Sequence, residues 1–564
     1  MPRWLFASLL GYRIQWLTSD LVAGLMLAAV AIPGQLATAR LAGMPPETGL
    51  YAFAAGSLAF AAFGANRFMS VQADSTIAPI FAGALATLAV TSPAHYAEQI
   101  TLLAFMVGII LVVVGLFRAG WLATLLSIPV TVGFLAGISI HIIIGELPTL
   151  LGIPEGQGHL LTRLVHIAAQ LGQTNVYALA IGLGVLIATL GTARISAHIP
   201  GALIGLVGAG LAVALFHLDA RGVEMLGTLP ARLPVLALPD LPDLDELGRL
   251  VPLALVIAMV CIMQTAAVAG TYPSDEEKPD NVSRDFAGVG AGSILAGLVG
   301  AFPVDSSPPS TAIVHDSGGR SQIASLTAVA LMIALMVLAS GLTAYVAHAA
   351  LAGILIYIAL RIFRLGEMIR IWQRGGLEIL LVVASAALVI IMPIETGMLL
   401  AIVLSFMHSL YIVARPYCVE LARVPGSTVW WPPSLVEHGE FEPGVLVFQP
   451  AAPLNFSNAE RIRGDIEKAI AAKRPPVKLL VIEASGIIDI DYTGSKILQQ
   501  AFADLKTKGI VVAIARLSDE RAQNQAGRSG LIEAVGADHV FHSVEDAVRK
   551  LGPGNRVAAE QPPP

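Results

Sequence analysis

Two short polar stretches stand out in an otherwise apolar chain, and their residue types suit the binding of an anion. One reads Ala73-Asp74-Ser75-Thr76 and the other Val304-Asp305-Ser306-Ser307-Pro308-Pro309. Asp and Ser oxygens accept hydrogen bonds from the free N–H groups at a helix start, and Pro is favoured in the first turn. Each stretch opens an apolar run too short to cross a bilayer alone. A helix that starts inside a membrane needs such a cap, because no water is present to satisfy its first N–H groups. Two such helices whose N-termini meet near the midplane form a positive pocket without any charged side chain. On this reading Ser75, Thr76, Ser307, Ser310 and Thr311 meet a substrate through their backbone N–H groups. The plainer alternative is two helices that start at an ordinary interface with routine caps.

Asp74 and Asp305 admit two opposed roles. As N-caps they stay ionised, held by the dipoles beneath them. As costly acids at membrane depth, either one is a candidate to carry a proton in with the substrate. Gln35, Gln72 and Gln264 are neutral groups suited to line the pocket or to bond between helices in the ordinary way. Glu146 and Glu395 stand near span ends and read as interfacial. His141, His348 and His408 are isolated on apolar faces and read as packed or bonded histidines.

The elements that must position these residues follow from composition. The chain has 564 residues, 55% hydrophobic and 13% charged, and its mean hydropathy is +0.74. Soluble domains carry about 25% charged residues, so lipid is the main solvent here. Apolar runs of about 17–22 residues recur from Asp20 to Val413, each long enough for a hydrocarbon core of roughly 30 Å. They stop after Arg415. The first run continues through Pro33 to Leu41 with no small-residue cleavage site, which reads as a span and not a signal peptide. Cys261 and Cys418 offer no disulfide framework or metal cluster. No basic block points to nucleic acid, no cofactor motif appears, and no catalytic constellation points to an enzyme.

About fourteen membrane segments are expected. The first begins near Asp20, the fifth near Trp121, the twelfth near Leu342 and the last near Ile394. Basic residues gather at the N-terminus and on alternate connections (Arg3, Arg13, Arg67, Arg118, Arg194, Lys278, Arg284 and Arg320 among them). The opposite connections hold fewer, chiefly Arg40, Arg163, Arg221, Arg232 and Arg249. This bias places both termini in the cytoplasm. The Pro-rich stretch from Arg221 to Glu246 lies at the midpoint and joins two halves of seven segments, which are therefore inverted relative to each other. The two polar stretches each open the third segment of their half.

Beyond the spans, alternating apolar residues predict strands at Val445 to Phe448, Leu479 to Glu483 and Ile510 to Ala515. Amphipathic helices are predicted at Ala459 to Ala472 and Gly494 to Lys506, giving a small α/β unit. The expected organisation is a cytosolic segment 1–19, a transmembrane domain 20–415, a linker 416–439, a cytosolic domain 440–552 and a disordered tail 553–564.

The run from Ala31-Ile32-Pro33 through Leu41-Ala42-Gly43-Met44-Pro45-Pro46-Glu47-Thr48-Gly49-Leu50-Tyr51 resembles the signature of the SulP family of anion permeases. Phe302-Pro303-Val304 and Gly318-Gly319-Arg320-Ser321-Gln322 match it further. Leu454-Asn455-Phe456-Ser457-Asn458-Ala459 and Ile490-Asp491-Tyr492-Thr493-Gly494 resemble that family's STAS domain. The resemblance covers nearly the whole chain. It implies a uracil-permease-like fold, with a core domain sliding past a gate domain in an elevator-like way, a homodimer in a bacterial inner membrane, and a STAS surface for a cytosolic partner. Thr493 falls where related bacterial STAS proteins are phosphorylated, which makes it a regulatory candidate.

Four positions depart from the family pattern. Gly34 replaces a Gln or Glu, Val71-Gln72-Ala73 replaces Val-Gly-Pro, Gln264 replaces an acid, and Ser310 replaces an Arg. An Arg there would supply a full positive charge; without it the pocket depends on helix dipoles and neutral donors. The expected function is secondary active transport of a small anion, with C4-dicarboxylate, sulfate or bicarbonate as substrates and proton coupling through Asp74 or Asp305. The alternatives are an uncoupled anion channel or exchanger, a STAS-bearing sensor or scaffold, and a carrier of neutral nucleobases.

Overall fold

The computed structural model describes residues 5–553, apart from 10–11, 88–91, 120–126, 155, 157–159, 197–198, 229–233, 235, 240–243, 275–280, 339 and 436–437. The chain divides into two compact units, Met1–Phe406 and Met407–Pro564.

The first unit is helical. Its first half runs α1 (Leu17–Leu41), α2 (Pro46–Phe63), strand β1 (Val71–Gln72), α3 (Ala78–Thr87), α4 (Pro93–Leu116), α5 (Ile128–Leu151), α6 (Leu160–Gln170), α7 (Val176–Ile195) and α8 (Gly201–Phe216). The second half runs α9 (Leu244–Thr271), α10 (Val282–Leu298), strand β2 (Asp305–Ser306), α11 (Pro308–Asp316), α12 (Ile323–Leu338), α13 (His348–Ile362), α14 (Leu365–Arg374), α15 (Glu378–Ile391) and α16 (Ile394–Ala414), within which the division at Phe406 falls. Among the described residues, 7 helical stretches are long and apolar enough to cross a membrane, and α8, α12 and α15 are shorter apolar helices. The twelfth expected segment starts at His348 and not near Leu342, because Ser340–Tyr345 forms a separate 3-10 turn. The expected starts at Trp121 and the tail 554–564 lie outside the described residues.

Helix packing reveals the inverted repeat directly. In one bundle α4 packs on α10, α2 on α12, α1 on α12 and α4 on α9. Exchanging α1–α4 for α9–α12 converts the first contact into the second and the third into the fourth. The same exchange relates the α1–α11 and α3–α9 contacts. A second bundle holds α5, α7, α8, α13 and α15, where the α5–α15 contact exchanges with α7–α13. Small residues set the approach of α4 and α10: a Cβ on Gly108 would lie 2.6 Å from the carbonyl oxygen of Gly290. Any side chain there would force the two backbones apart, which explains the glycine at this crossing.

The second unit is α/β. Its sheet joins β3 (Cys418–Glu420), β6 (Val445–Pro450), β7 (Leu479–Glu483), β8 (Val511–Ala515) and β9 (Val540–Phe541) in that order, with β3 antiparallel and the others parallel. A separate ribbon pairs β4 (Ala422–Arg423) with β5 (Trp430–Trp431). The stretch 416–439, expected as a linker, therefore supplies a sheet strand and this ribbon. The helices are α17 (Ala459–Ala472), α18 (Tyr492–Thr507), α19 (Glu520–Ser529), α20 (Leu531–Val535) and α21 (Val544–Leu551). Strand alternation divides two cores: Leu446, Phe448, Leu480 and Ile482 pack with Ile462 and Phe502, while Val445, Val447, Leu479 and Val481 pack with Val544 and Val548. Both faces are covered, so the parallel strands read as continuous apolar runs.

Candidate functional site

The two polar stretches meet at the centre of the first bundle. β1 and β2 pair antiparallel, with Val71 opposite Ser306 and Gln72 opposite Asp305. Residues 69–81 and 301–307 are buried without interruption. α3 and α11 follow these strands and contain 10 and 9 residues. At 1.5 Å per residue each spans about 14–15 Å, half of a hydrocarbon core. An antiparallel pair between equivalent strands is what two inverted halves must form where they cross.

The two carboxylates bond differently, and Asp305 does not cap α11 as expected: the N-cap of α11 is Ser307, whose side chain makes no cap hydrogen bond, and Asp305 lies two residues before it. Asp74 Oδ1 accepts from the Thr76 amide at 2.8 Å and from the Thr76 hydroxyl at 2.6 Å. Gln264 Nε2 donates to that hydroxyl at 2.5 Å, tying α9 to the start of α3. Asp305 Oδ1 accepts from the Ser306 amide at 2.7 Å, while its Oδ2 has no hydrogen-bond partner among the described residues. Gln35 Nε2 donates to the Ala73 carbonyl at 3.0 Å, which orients its amide and leaves the buried Oε1 without a partner. Gln72 Oε1 is buried and unpartnered too.

Several backbone N–H groups proposed for substrate are already engaged. Thr76 N bonds Asp74, Ser307 N donates to the Ser70 carbonyl at 2.9 Å, and Thr311 N donates to the Ser307 carbonyl at 2.9 Å. The Thr311 hydroxyl donates to the same carbonyl at 2.8 Å and accepts from Ser70 N at 3.0 Å. Pro308 and Pro309 have no N–H. The first turn of α11 thus presents the Ser310 amide, and Ser75 offers the matching amide before α3; neither has a partner among the described residues. Ser310 is 4% exposed and Ser75 6%. Neither strand and neither helix start carries Lys or Arg.

On α9, Cys261, Gln264 and Thr265 share one face by their i, i+3, i+4 spacing. Cys261 Sγ lies 3.9 Å from the Val304 carbonyl, and the buried Thr265 hydroxyl is unpartnered. Thr265 was not expected at the site. The signal was present in the sequence: two adjacent polar residues, Gln264 and Thr265, one turn after Cys261 on a helix that is otherwise apolar there. Thr493 lies far along the chain, exposed in the first turn of α18, whose N-cap Asp491 accepts from Gly494 N at 2.6 Å. Among the described residues no group of three or more His, Cys, Asp or Glu side chains is placed to hold a metal ion.

This geometry has parallels. Residues 17–385 match the sulfate permease family and residues 439–547 match the STAS domain. A probable sulfate transporter of Mycobacterium tuberculosis is 32% identical over 538 residues, covering 95% of this chain and 96% of its own. The chloroplastic sulfate transporter 4.1 of Arabidopsis thaliana is 24% identical over 548 residues, 94% of this chain and 79% of its own. The murine solute carrier 26 family member A9 anion transporter, solved in the inward-facing state, superposes with a TM-score of 0.86 at 20% identity, covering 96% and 93% of the two chains. The transmembrane domain of the cyanobacterial bicarbonate transporter BicA gives a TM-score of 0.61 at 21% identity, covering 70% of this chain and 98% of its own. With its family match spanning most of the membrane unit and a STAS domain behind it, the chain is a multi-pass membrane protein of the sulfate permease family of anion transporters.

Proposed function

We propose that this chain is a secondary active transporter of a small oxyanion of the sulfate class, and that it takes up a proton at Asp305 with each anion. The observation that carries the reading is the buried crossing of β1 and β2, which aims the N-termini of two half-length helices at one place. Each helix start is equivalent to roughly +0.5 charge. Two ionised aspartates would cancel more than that and repel an anion, so one of them must be neutral when substrate is bound. Asp74 is committed by two short hydrogen bonds from Thr76. Asp305 retains an oxygen without a partner and is the one free to hold the proton.

In this reading α1–α4 and α9–α12 carry the site past α5–α8 and α13–α16 as an elevator. The chain works as a homodimer in the inner membrane with both termini cytoplasmic, and its STAS unit offers a surface to a cytosolic protein. One observation favours a second substrate class. Gln35 Oε1 and Gln72 Oε1 are buried acceptors, whereas sulfate has no proton to offer them. Bicarbonate or a singly protonated C4-dicarboxylate carries its own O–H donor. The test is uptake of labelled sulfate, bicarbonate and succinate into liposomes holding the purified protein, with and without a pH gradient. Sulfate uptake driven by the gradient supports the first reading, and gradient-driven uptake of the other anions without sulfate supports the second. A conductance that ignores the gradient would make the protein a channel.

A further inference from the structure

Arg40, in the last turn of α1, crosses from the first bundle to the second. Its guanidinium lies 3.1 Å from Glu146 Oε2 on α5 and 3.4 Å from the His348 carbonyl at the start of α13. It also bonds the Thr149 hydroxyl on α5. The ion pair is nearly enclosed, with side chains 16% and 7% exposed. Glu146, read as interfacial from its place near a span end, has a side chain only 7% exposed and faces Arg40 of the other bundle.

The acceptors are held firmly. The backbone next to His348 is pinned to the loop after α8: Met225 bridges Ala347, Leu226 N donates to the Val346 carbonyl at 2.8 Å and His348 N to the Glu224 carbonyl at 3.0 Å. His348 Nδ1 lies 3.7 Å from the exposed Glu224 carboxylate. Arg40 is five residues beyond Gln35, about 7–8 Å along the helix axis. The C-terminal ends of α1 and α5 and the start of α13 therefore meet on one face of the unit, about one and a half helical turns along α1 from Gln35.

We propose that Arg40, gripped by Glu146, Thr149 and the His348 carbonyl, is a latch that holds the two bundles together at this face and must release for the site to open there. The proposal rests on the elevator reading above, but its test does not need transport. A charge-assisted bond in a partly buried setting contributes enough that its loss shifts a two-state balance by about tenfold. A surface ion pair at the rim of one bundle would leave the balance unchanged.

The experiment is a distance measurement on the full chain in lipid nanodiscs, in a Cys261→Ala, Cys418→Ser background. Spin labels go at Glu98→Cys, on the exposed start of α4, and at Gln173→Cys, in the exposed turn before α7. With the native latch one short-distance population is expected. Glu146→Gln, which keeps the side-chain shape, and Arg40→Ala should each raise a longer-distance population about tenfold. Exchanging the charges with Arg40→Glu and Glu146→Arg should restore much of the short-distance population through the rebuilt ion pair, though a carboxylate at residue 40 gives up the bond to the His348 carbonyl. Distributions identical to the parent in the single variants would overturn the latch. So would single variants that change the distance while the exchanged pair fails to restore it, because that result marks local damage. If labelled-sulfate uptake is absent but the distances shift as expected, the latch stands and the substrate assignment falls.

Discussion

Gln72 and Asp305 are register partners across a two-residue antiparallel ladder. This pairs an amide residue of the first half with a carboxyl residue of the second, where the equivalent strands of the inverted halves exchange backbone hydrogen bonds. The two carboxylates of the crossing are unequal: Asp74 Oδ1 accepts two bonds from Thr76 before α3, whereas Asp305 accepts from the Ser306 amide of its own strand and keeps Oδ2 without a partner among the described residues.

That inequality separates two variants. Asp305→Asn keeps an oxygen for the Ser306 amide but cannot exchange a proton. It should lose acceleration of uptake by a pH gradient while retaining counterflow of preloaded anion. Asp74→Asn keeps an acceptor for the Thr76 amide and hydroxyl but loses the charge assistance of both bonds, about 1 kcal/mol, so it should lower uptake without changing its pH dependence. An unaltered pH dependence in Asp305→Asn would remove the proton from this residue.

Gly49 offers a test of how α2 positions the site. A Cβ at this position would lie 2.2 Å from the Gln35 carbonyl oxygen. Neither backbone can yield without moving Gln35, whose amide holds the Ala73 carbonyl. Gly49→Ala should lower anion uptake at least tenfold, roughly the effect of losing about 1.4 kcal/mol at the site, with the STAS unit unaffected by limited proteolysis. Wild-type uptake in Gly49→Ala would show that the close approach does not position the site.

Much of this organisation was legible in the sequence because lipid imposes simple rules. Apolar runs mark the spans, and Asp74 and Asp305 at matching places in the two halves mark the half-helices. The strand pairing between Gln72 and Asp305 was not legible, because two residues carry no periodicity and the partners are far apart in the chain. The use of the Ser307 amide was hidden for the same reason: Ser70, which accepts from it, belongs to the other half, whereas the Thr76 and Thr311 amides bond locally, to Asp74 and Ser307. In the STAS unit, the long strands and α17 were read closely, whereas β3 lies in a stretch whose short apolar run resembles a linker. Arg40 read as a charge on a connection and Glu146 as interfacial, since only the tertiary fold brings α1 to α5.

Cys418 gives a prediction in pH. Burial, with Asp465 nearby, pushes its thiol up to about 11. The thiol therefore stays protonated through neutral pH, and at pH 8 only about one part in a thousand is the reactive thiolate. Iodoacetamide should label the native chain slowly at pH 8, and the rate should climb towards pH 11. Cys261 is fully buried and should remain silent throughout. Mass spectrometry of the labelled peptides checks both. Rapid labelling of Cys418 at pH 8 would show that β3 opens readily from β6.

Ser310→Arg tests the charge of the pocket itself. Ser310 is the first residue of α11 with an N–H group, and its side chain is buried at the helix start. A guanidinium at this position adds a full charge where roughly +0.5 from the dipole now acts. It also lies within the field of Asp74 and Asp305, so it should hold both acids ionised and form bidentate bonds to an oxyanion. Two changes should appear together in liposomes: tighter binding of sulfate, by about tenfold or more for a charge-assisted pair, and uptake that no longer responds to a pH gradient. The first follows from the added donor, the second from removal of the need for a proton. Tighter binding with pH coupling intact would mean that the proton resides elsewhere. If neither affinity nor pH dependence changes, the start of α11 is not where the anion binds.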